Sequence, residues 1–434
     1  MGQIVFVPKE VDSNEPRVAA SPDTVKRISG LGLDIVVEAG AGTLSRITDE
    51  EFAKAGATIG SASDAARADV ILKVRRPNAT ELKSYKRGAS VIAIMDPYGN
   101  DAAVAALGKA GVTAFSMEFM PRITRAQVMD VLSSQANLAG YQAVIDGAAE
   151  YDRALPMMMT AAGTVPAAKV FVMGVGVAGL QAIATARRMG AIVTATDVRP
   201  TVKEQVASLG AKFLAVEDEE FKAAETAGGY AKEMSKEYQA KQAALIAEHI
   251  AKQDIVITTA LIPGRPAPKL VSAAMVQSMK SGSVIVDLAV ERGGNVEGAV
   301  PGQVVTTANG VKIVGHLNVP GRVAASASLL YARNLFAFLE TMVDKSTKLL
   351  AINRDDELVK ATMLTDAGRV VHPNFAGKEA KPAADPAVKK AAKGTEPGLD
   401  VAPKKTAAKK PAAARKPAAA KPRPVTPGKN RGDA

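Results

Sequence analysis

The chain has 434 residues, of which 47% are hydrophobic, 4% aromatic and 23% charged; its net charge is +11, and it contains no Cys and no Trp. Such a length allows roughly two or three domains of about 150 residues, and the lack of Cys excludes disulfides, thiolate nucleophiles and Cys-ligated metals. The positive charge does not belong to the body: residues 376–434 hold 15 Lys and Arg against five Asp and Glu, leaving 40 basic and 39 acidic residues elsewhere.

The opening residues, MGQIVFVPKE, place a charge directly after a short apolar run, so no secretory signal is expected. Phe6 stands where a myristoylation signal has Ser or Thr. Residues 4–8 read as a first strand. Ser21-Pro22-Asp23 then opens a helix, with Ser at the N-cap, Pro next, Val25, Ile28 and Leu31 on one face, and Gly30 and Gly32 at its end. Residues 34–38, 70–74 and 91–95 are further apolar strands, an alternation that predicts an α/β fold with a parallel sheet. Residues 126–152 lack Pro and carry Val128, Leu132, Leu138, Tyr141 and Ile145 at helical spacing, which predicts one long helix joining two lobes.

A second alternating series follows, with strands at 169–173, 192–196, 213–216, 255–259, 284–288 and 312–315; six such strands suit a dinucleotide-binding sheet. The 38 residues 217–254 exceed one loop and one helix and contain Gly228-Gly229-Tyr230, which reads as an exposed excursion. Residues 323–343 predict a helix returning to the first lobe. The fold expected is two Rossmann-like, doubly wound parallel-sheet domains with a cleft between them: residues 1–133 with 324–375 form the first, and 134–323 the nucleotide-binding one. Residues 376–434, rich in Ala, Lys and Pro, are expected to be a disordered tail. A tail role on anionic lipid or an acidic partner stays open. The near-neutral body and the lack of stacking aromatics in the tail argue against nucleic-acid binding. No run of about 18 uncharged apolar residues occurs, so no membrane span is expected.

Gly174-Val175-Gly176-Val177-Ala178-Gly179 follows the strand at 169–173 and opens a helical run. In such a loop Gly174 permits the tight turn, Gly176 lets the backbone approach a pyrophosphate, and Gly179 lets helix and strand pack closely. Asp197 closes the next strand, 18 residues after Gly179, where an acid binds adenosine ribose hydroxyls. Strand, loop, helix, strand and acid in register predict NAD(H) binding. Asp197 favours NAD over NADP, while Arg199 pulls the other way.

Proton-transfer groups are scarce. The three His are His249, in a polar helix and expected to be exposed; His372, near the domain's end; and His316, after a strand and within reach of the cleft. No H-x-x-x-H or similar spacing is present, and no metal is expected. Hydride transfer between two nicotinamides needs no acid or base, only two rings held close with water excluded. The missing base is thus compatible with such a reaction.

Several long motifs carry a family resemblance. Residues 120–130 (MPRITRAQVMD), 132–141 (LSSQANLAGY), 160–166 (TAAGTVP), the glycine loop, 228–234 (GGYAKEM) and 258–264 (TTALIPG) resemble the NAD(H)-binding component (domain I, alpha subunit) of proton-translocating NAD(P)+ transhydrogenase, over about residues 1–375. The resemblance implies roles for individual residues. Arg122, Gln127 and Asp130 fall on a loop that approaches the nicotinamide and its ribose, with Gln127 bridging to NADP(H) on a partner, and Ile123, Thr124 and Arg125 lie among its nucleotide contacts. Ser133 falls near the nicotinamide, and Gly229 and Tyr230 on a mobile loop closing over the nucleotide. Gly174, Gly176, Val177 and Gly179 bind the phosphates, Asp197, Val198 and Arg199 match the adenosine-ribose segment, and Thr259 and Leu261 the loop after the fourth strand. Without the motif match, Arg122, Gln127 and Asp130 would pass as a polar helix face.

The chain also resembles the alanine dehydrogenase family. That family shares Pro8-Lys9-Glu10, Arg17-Val18-Ala19 and Leu72-Lys73-Val74, but where its catalytic His would stand the chain reads Ile94-Met95-Asp96-Pro97-Tyr98. Arg17 and Lys73, at its pyruvate-binding positions, are read here as structural ion-pairing residues. The function implied is hydride transfer between NAD(H) on this chain and NADP(H) on a beta-subunit partner, coupled to proton translocation by membrane-spanning subunits. The chain would be a homodimer held peripherally at the cytoplasmic face of the inner membrane. The alternative is an NAD-dependent amino-acid dehydrogenase of the alanine dehydrogenase type.

Overall fold

The structure is a computed structural model that describes residues 2–222, 234–262 and 264–377. All of these lie in one compact unit, Met1–Ala383. The expected tail lies outside the described residues except for Ala376 and Gly377, and Gly229 and Tyr230 lie outside them as well.

The first lobe begins with six parallel strands, β1 (Ile4–Val7), β2 (Asp34–Glu38), β3 (Thr58–Gly60), β4 (Val70–Arg75), β5 (Ser90–Ile94) and β6 (Thr113–Ser116), in spatial order β3-β2-β1-β4-β5-β6. Their Val and Ile side chains are buried on both faces, as a sheet covered by helices on each side requires. The first helix, Pro22–Gly30, begins as expected: Ser21 and Thr24 form a capping box and Pro22 leads the first turn.

A two-stranded hairpin, β7 (Met158–Thr160) with β8 (Gly163–Val165), precedes the second lobe and is exposed throughout. The second sheet contains β9 (Lys169–Met173), β10 (Ile192–Thr196), β11 (Lys212–Phe213), β12 (Ile255–Thr258), β13 (Val284–Asp287), β14 (Val304–Thr306) and β15 (Lys312–Val314). Its order is β11-β10-β9-β12-β13-β15-β14, parallel except at the β14 edge. The helix Ala324–Glu340 returns to the first lobe, where β16 (Met363–Asp366) and β17 (Arg369–Val370) add an antiparallel edge beside β6.

Several expected elements shift. The predicted helix over 126–152 divides into a 3-10 segment, Thr124–Met129, and an α-helix, Val131–Glu150. Asp130 is the reason: its carboxylate accepts the Ser133 N–H at 2.9 Å, making it an N-cap where periodicity alone reads it as interior. The expected apolar positions are only partly covered, with Leu138 and Ile145 half-buried. Gln135, Ala139, Gly140, Ala143 and Gly147 are buried, whereas Val128 is 63%, Leu132 47% and Tyr141 40% exposed. The strand expected at 213–216 shortens to β11. His249, expected to be exposed, is half-buried, with Nε2 2.8 Å from the Thr194 hydroxyl and the ring edge-on to Phe171.

Small residues let the long helix lie close to the helix Val177–Arg188. A Cβ added to Gly140 would fall 2.0 Å from the Ala178 carbonyl oxygen, so only glycine allows this crossing. Replacing Gly140 with Ala is expected to lower stability by about 2–3 kcal/mol, because backbone on backbone cannot relax cheaply. Urea denaturation measures it, and an unchanged midpoint would show that the helices have room to part.

Candidate functional site

The C-terminal ends of the parallel strands, where open α/β sheets take their ligands, carry the glycine loop. Gly174 adopts φ +100°, which favours glycine, and its carbonyl accepts the Thr259 hydroxyl at 2.9 Å. A Cβ on Gly174 would come within 2.6 Å of Thr259 Oγ1, and one on Gly179 within 1.9 Å of the Gly174 oxygen. Both glycines are therefore demanded by the chain itself. Gly176 differs. Its φ of −81° suits any residue, and an added Cβ would meet nothing within 4 Å. The space before it is what a bound diphosphate needs. Gly176 is also the N-cap of Val177–Arg188 and offers no side-chain cap, so the helix's positive end faces that space without a side-chain acceptor.

Asp197 stands at the end of β10 beside this loop. One carboxylate oxygen accepts the Val175 N–H at 2.7 Å, and the other accepts the Arg199 N–H and Nε–H, each at 2.9 Å. Arg199 also reaches the Val175 carbonyl at 3.1 Å. Asp197 is thus an acceptor already shared between loop and guanidinium, and a ribose hydroxyl would have to share it too. Val198 is exposed.

Beyond β12, Thr259 is drawn to Gly174 and Leu261 is exposed with Ile262. Asn295, absent from the sequence reading, organises this segment. It is fully buried, its Oδ1 accepts the Ala260 N–H at 3.0 Å, and its Nδ2 donates to the carbonyls of Ala260 and Pro268 at 2.9 and 2.8 Å. Asp287, buried at the end of β13, accepts the N–H groups of Ala289 and Val296 and the Thr258 hydroxyl. Burial pushes its carboxyl above the ordinary range. A Gly-Gly-Asn turn after an apolar strand is the only sequence signal for Asn295.

The second group of predicted residues leads into the helix Val131–Glu150. Asp130 and Ser133 are brought together, the Ser133 hydroxyl donating to Asp130 at 2.5 Å. Arg122, Thr124 and Gln127 are exposed, and Ile123 packs on the first lobe's core. Arg125 turns to that lobe, donating to Asp356 at 2.8 Å and Glu357 at 3.2 Å. Asn334 on the returning helix holds the loop, donating to the Val128 carbonyl at 2.8 Å and accepting the Ser134 hydroxyl at 2.7 Å. Gly140 lies ten residues beyond Asp130, so roughly 15 Å of helix separates the Asp130 corner from the crossing with the phosphate-loop helix.

Arg17 and Lys73 are ion-paired, as their sequence context suggests. Arg17 meets Glu15 at 2.6 Å and Gln135 at 2.7 Å; Lys73 meets Glu81 at 2.7 Å and Glu10 at 3.2 Å, all buried or nearly so. Burial alone would lower Lys73, but Glu10 and Glu81 outweigh it and hold the ammonium above its ordinary range. Likewise burial would raise Glu15, yet Arg17 and Arg75 hold its carboxyl below the usual range. His316, half-buried after β15, is pushed down by burial and then by Arg322. His372 is buried and stacked on Phe119 with centroids 4.5 Å apart.

A glycine loop at the head of a parallel sheet, an acid on the next strand and a second α/β lobe define a two-lobed dinucleotide-binding protein. Residues 6–139 match the family described as "Alanine dehydrogenase/PNT, N-terminal domain", and residues 143–373 its "C-terminal domain". The chain is 56% identical over 383 residues to the first of the chains that make up NAD(P) transhydrogenase subunit alpha in Rhodospirillum rubrum, covering 87% of this chain and the whole of that one. It is similar in structure to a transhydrogenase from Sinorhizobium meliloti, at 69% identity and TM-score 0.79, covering 85% of this chain and all of that chain. An L-alanine dehydrogenase structure matches at 26% identity and TM-score 0.71, over 86% of this chain and 98% of that one. The chain belongs to the alanine dehydrogenase/PNT family, on its transhydrogenase alpha-subunit branch.

The two kinds of glycine separate experimentally. Gly176→Ala is expected to leave the unfolding midpoint in place while weakening NADH binding roughly tenfold or more, about 1.4 kcal/mol, as read by fluorescence titration. Gly179→Ala should lower the midpoint itself. Equal destabilisation by both would remove the argument that Gly176 serves a ligand.

Proposed function

We propose that this chain binds NAD(H) on its second lobe and exchanges hydride with NADP(H) held by a beta-subunit partner, in a complex whose membrane-spanning subunits couple the reaction to proton translocation. In this reading residues 134–323 form the nucleotide domain and 1–133 with 324–375 its companion. Gly174, Gly176, Val177 and Gly179 take the diphosphate, while Asp197, Val198 and Arg199 take the adenosine ribose. Thr259 and Leu261 flank the nucleotide. Arg122, Ile123, Thr124, Arg125, Gln127, Asp130 and Ser133 serve the nicotinamide end, with Gly229 and Tyr230 on a closing loop. Arg125 would have to leave Asp356 to do so.

The observation that carries the reading is the exposure of Arg122, Thr124, Gln127, Val128 and Leu132 around the capped start of the helix Val131–Glu150. A site for a small substrate turns its reacting groups into a closed cleft. A site that hands hydride to another protein must leave them, and some apolar surface, open to that protein. The amino-acid dehydrogenase alternative is weakened on the same lobe: Arg17 and Lys73 are neutralised by buried carboxylates, and the stretch Ile94–Tyr98, where the acid-base His would fall, has none.

No helix among the described residues is long and apolar enough to cross a membrane; in this reading the chain attaches peripherally at the cytoplasmic face of the inner membrane through its partners. The homodimer is supported by the hairpin of β7 and β8, whose Met157, Met158, Met159 and Val165 are exposed on a projecting two-stranded ribbon. A short hairpin alone is marginally stable, and a second copy would cover it. Met158→Asp with Val165→Asp should therefore shift the chain to monomer in sedimentation equilibrium; an unchanged mass would place the dimer contact elsewhere.

The activity is tested by reducing an NADP+ analogue with NADH, with and without the NADP(H)-binding partner. Transfer should require the partner and fall at least about tenfold for Gln127→Ala. Full-rate transfer by the chain alone, or NADH oxidation driven by pyruvate and ammonia, would overturn the assignment.

A further inference from the structure

The turn after β5 reaches across the cleft to the second lobe at two points. Asp96 pairs with Arg292, which lies in the 3-10 turn after β13. Two residues on, the Tyr98 ring packs against Gly264, in the segment after β12. Gly264 has φ +72°, and a Cβ there would stand 2.9 Å from the ring, so the contact also demands glycine.

The turn is built to hold this position. Asp96 has φ +44°, a left-handed conformation that Asp tolerates better than most residues but rarely adopts. Its backbone is fixed from three sides. Glu118 accepts the N–H groups of Met95, at 3.0 Å, and of Asp96. Arg76 donates to the carbonyls of Met95, at 2.5 Å, and Asp96, at 2.8 Å. Asn100 donates to the Asp96 carbonyl at 2.8 Å. Tyr98 is backed by Phe119, edge-on with centroids 5.8 Å apart, and by Phe375 at 5.4 Å. An ion pair this open to water stabilises a fold little, and less than a left-handed backbone costs. The backbone of the turn is held by its own lobe, and the ion pair adds the link to the other.

We infer that Asp96 and Tyr98 form an interlobe clasp with Arg292 and Gly264. It fixes the first lobe, with its loop at Arg122–Asp130, against the strand ends that hold the nucleotide. These are positioning residues: they act on where the nicotinamide end is presented, and the phosphate loop and Asp197 sit on one lobe without them. The inference rests on the NAD(H) reading above for its effect on turnover, but not for the geometry itself.

The chain's lack of Cys makes the test direct. Cysteines introduced at the exposed Lys83 and Lys280, one on each lobe, carry spin labels for distance measurement in the full-length chain. Asp96→Asn keeps a residue tolerant of the left-handed backbone and removes the charge; Arg292→Ala removes its partner; Tyr98→Ala removes the ring. Each should broaden the interlobe distance distribution and lower hydride-transfer turnover in the assembled complex roughly tenfold to a hundredfold, with little change in the NADH dissociation constant. Arg292→Lys should restore most of the turnover. Unchanged distances and turnover in all three variants would overturn the clasp, as would a parallel loss of NADH binding and folding. A parent chain that binds no NADH would sink the functional proposal, and the distance distributions would still decide the clasp.

Discussion

The approach of Gly140 to the Ala178 carbonyl governs how the two lobes share one site. A helix that starts in the first lobe's loop can lie directly on the helix of the phosphate loop only because Gly140 presents no side chain to the Ala178 backbone. That contact sets where Asp130, Ser133 and the exposed Arg122–Gln127 segment stand relative to the glycine turn. It also explains why the helix buries its small and polar residues. Close backbone packing buries the face of Ala139, Gly140, Ala143 and Gly147, and Leu132 and Tyr141 of the apolar spacing lie outside it.

Much of the second lobe was legible because its signals are local. The strands at 169–173 and 192–196 end where their residues predict, and each glycine of the loop has a role readable from strand and helix on either side. An added Cβ would meet nothing within 4 Å at Gly176 but would strike the Gly174 oxygen at Gly179, the contrast that their places in the motif predict. In the long helix the periodic pattern was present but only partly covered, since the helix–helix contact decided burial. Asp130 was read among nucleotide contacts and not as a cap, because capping depends on where the chain enters the helix. The short strands at Thr58–Gly60, Val304–Thr306 and Arg369–Val370 escaped for a simpler reason: edge strands of two or three mixed residues carry too little pattern. The Asn295 side chain bonds to the backbone of Ala260 and Pro268 in the segment after β12, 35 and 27 residues away, which a linear motif cannot show.

The buried charges of the first lobe divide labour within the molecule. Arg17, Lys73 and Arg75 pair with Glu10, Glu15 and Glu81 inside that lobe, three charges of each sign, so the cluster offers little net field to an anionic ligand. In the proposed reading, binding the diphosphate falls to the open helix end and backbone of the second lobe. A solved L-alanine dehydrogenase shares the fold at 26% identity, so the fold alone does not tell the chemistries apart. In the proposed reading the stretch Ile94–Tyr98, without His, and the exposed loop at Arg122–Gln127 separate them.

The long helix has one more property. Its positive end is met by the Asp130 carboxylate, and at its negative end the Lys312 ammonium donates to the Glu150 carbonyl at 2.7 Å and lies near the carboxylates of Glu150 and Asp152. The Asp130 carboxylate thus offsets the positive end, whereas at the negative end the one ammonium is shared with two carboxylates. The helix joins the Asp130 corner to the crossing at Gly140 as a strut, so a displacement of its first turn would reach the phosphate-loop helix mechanically.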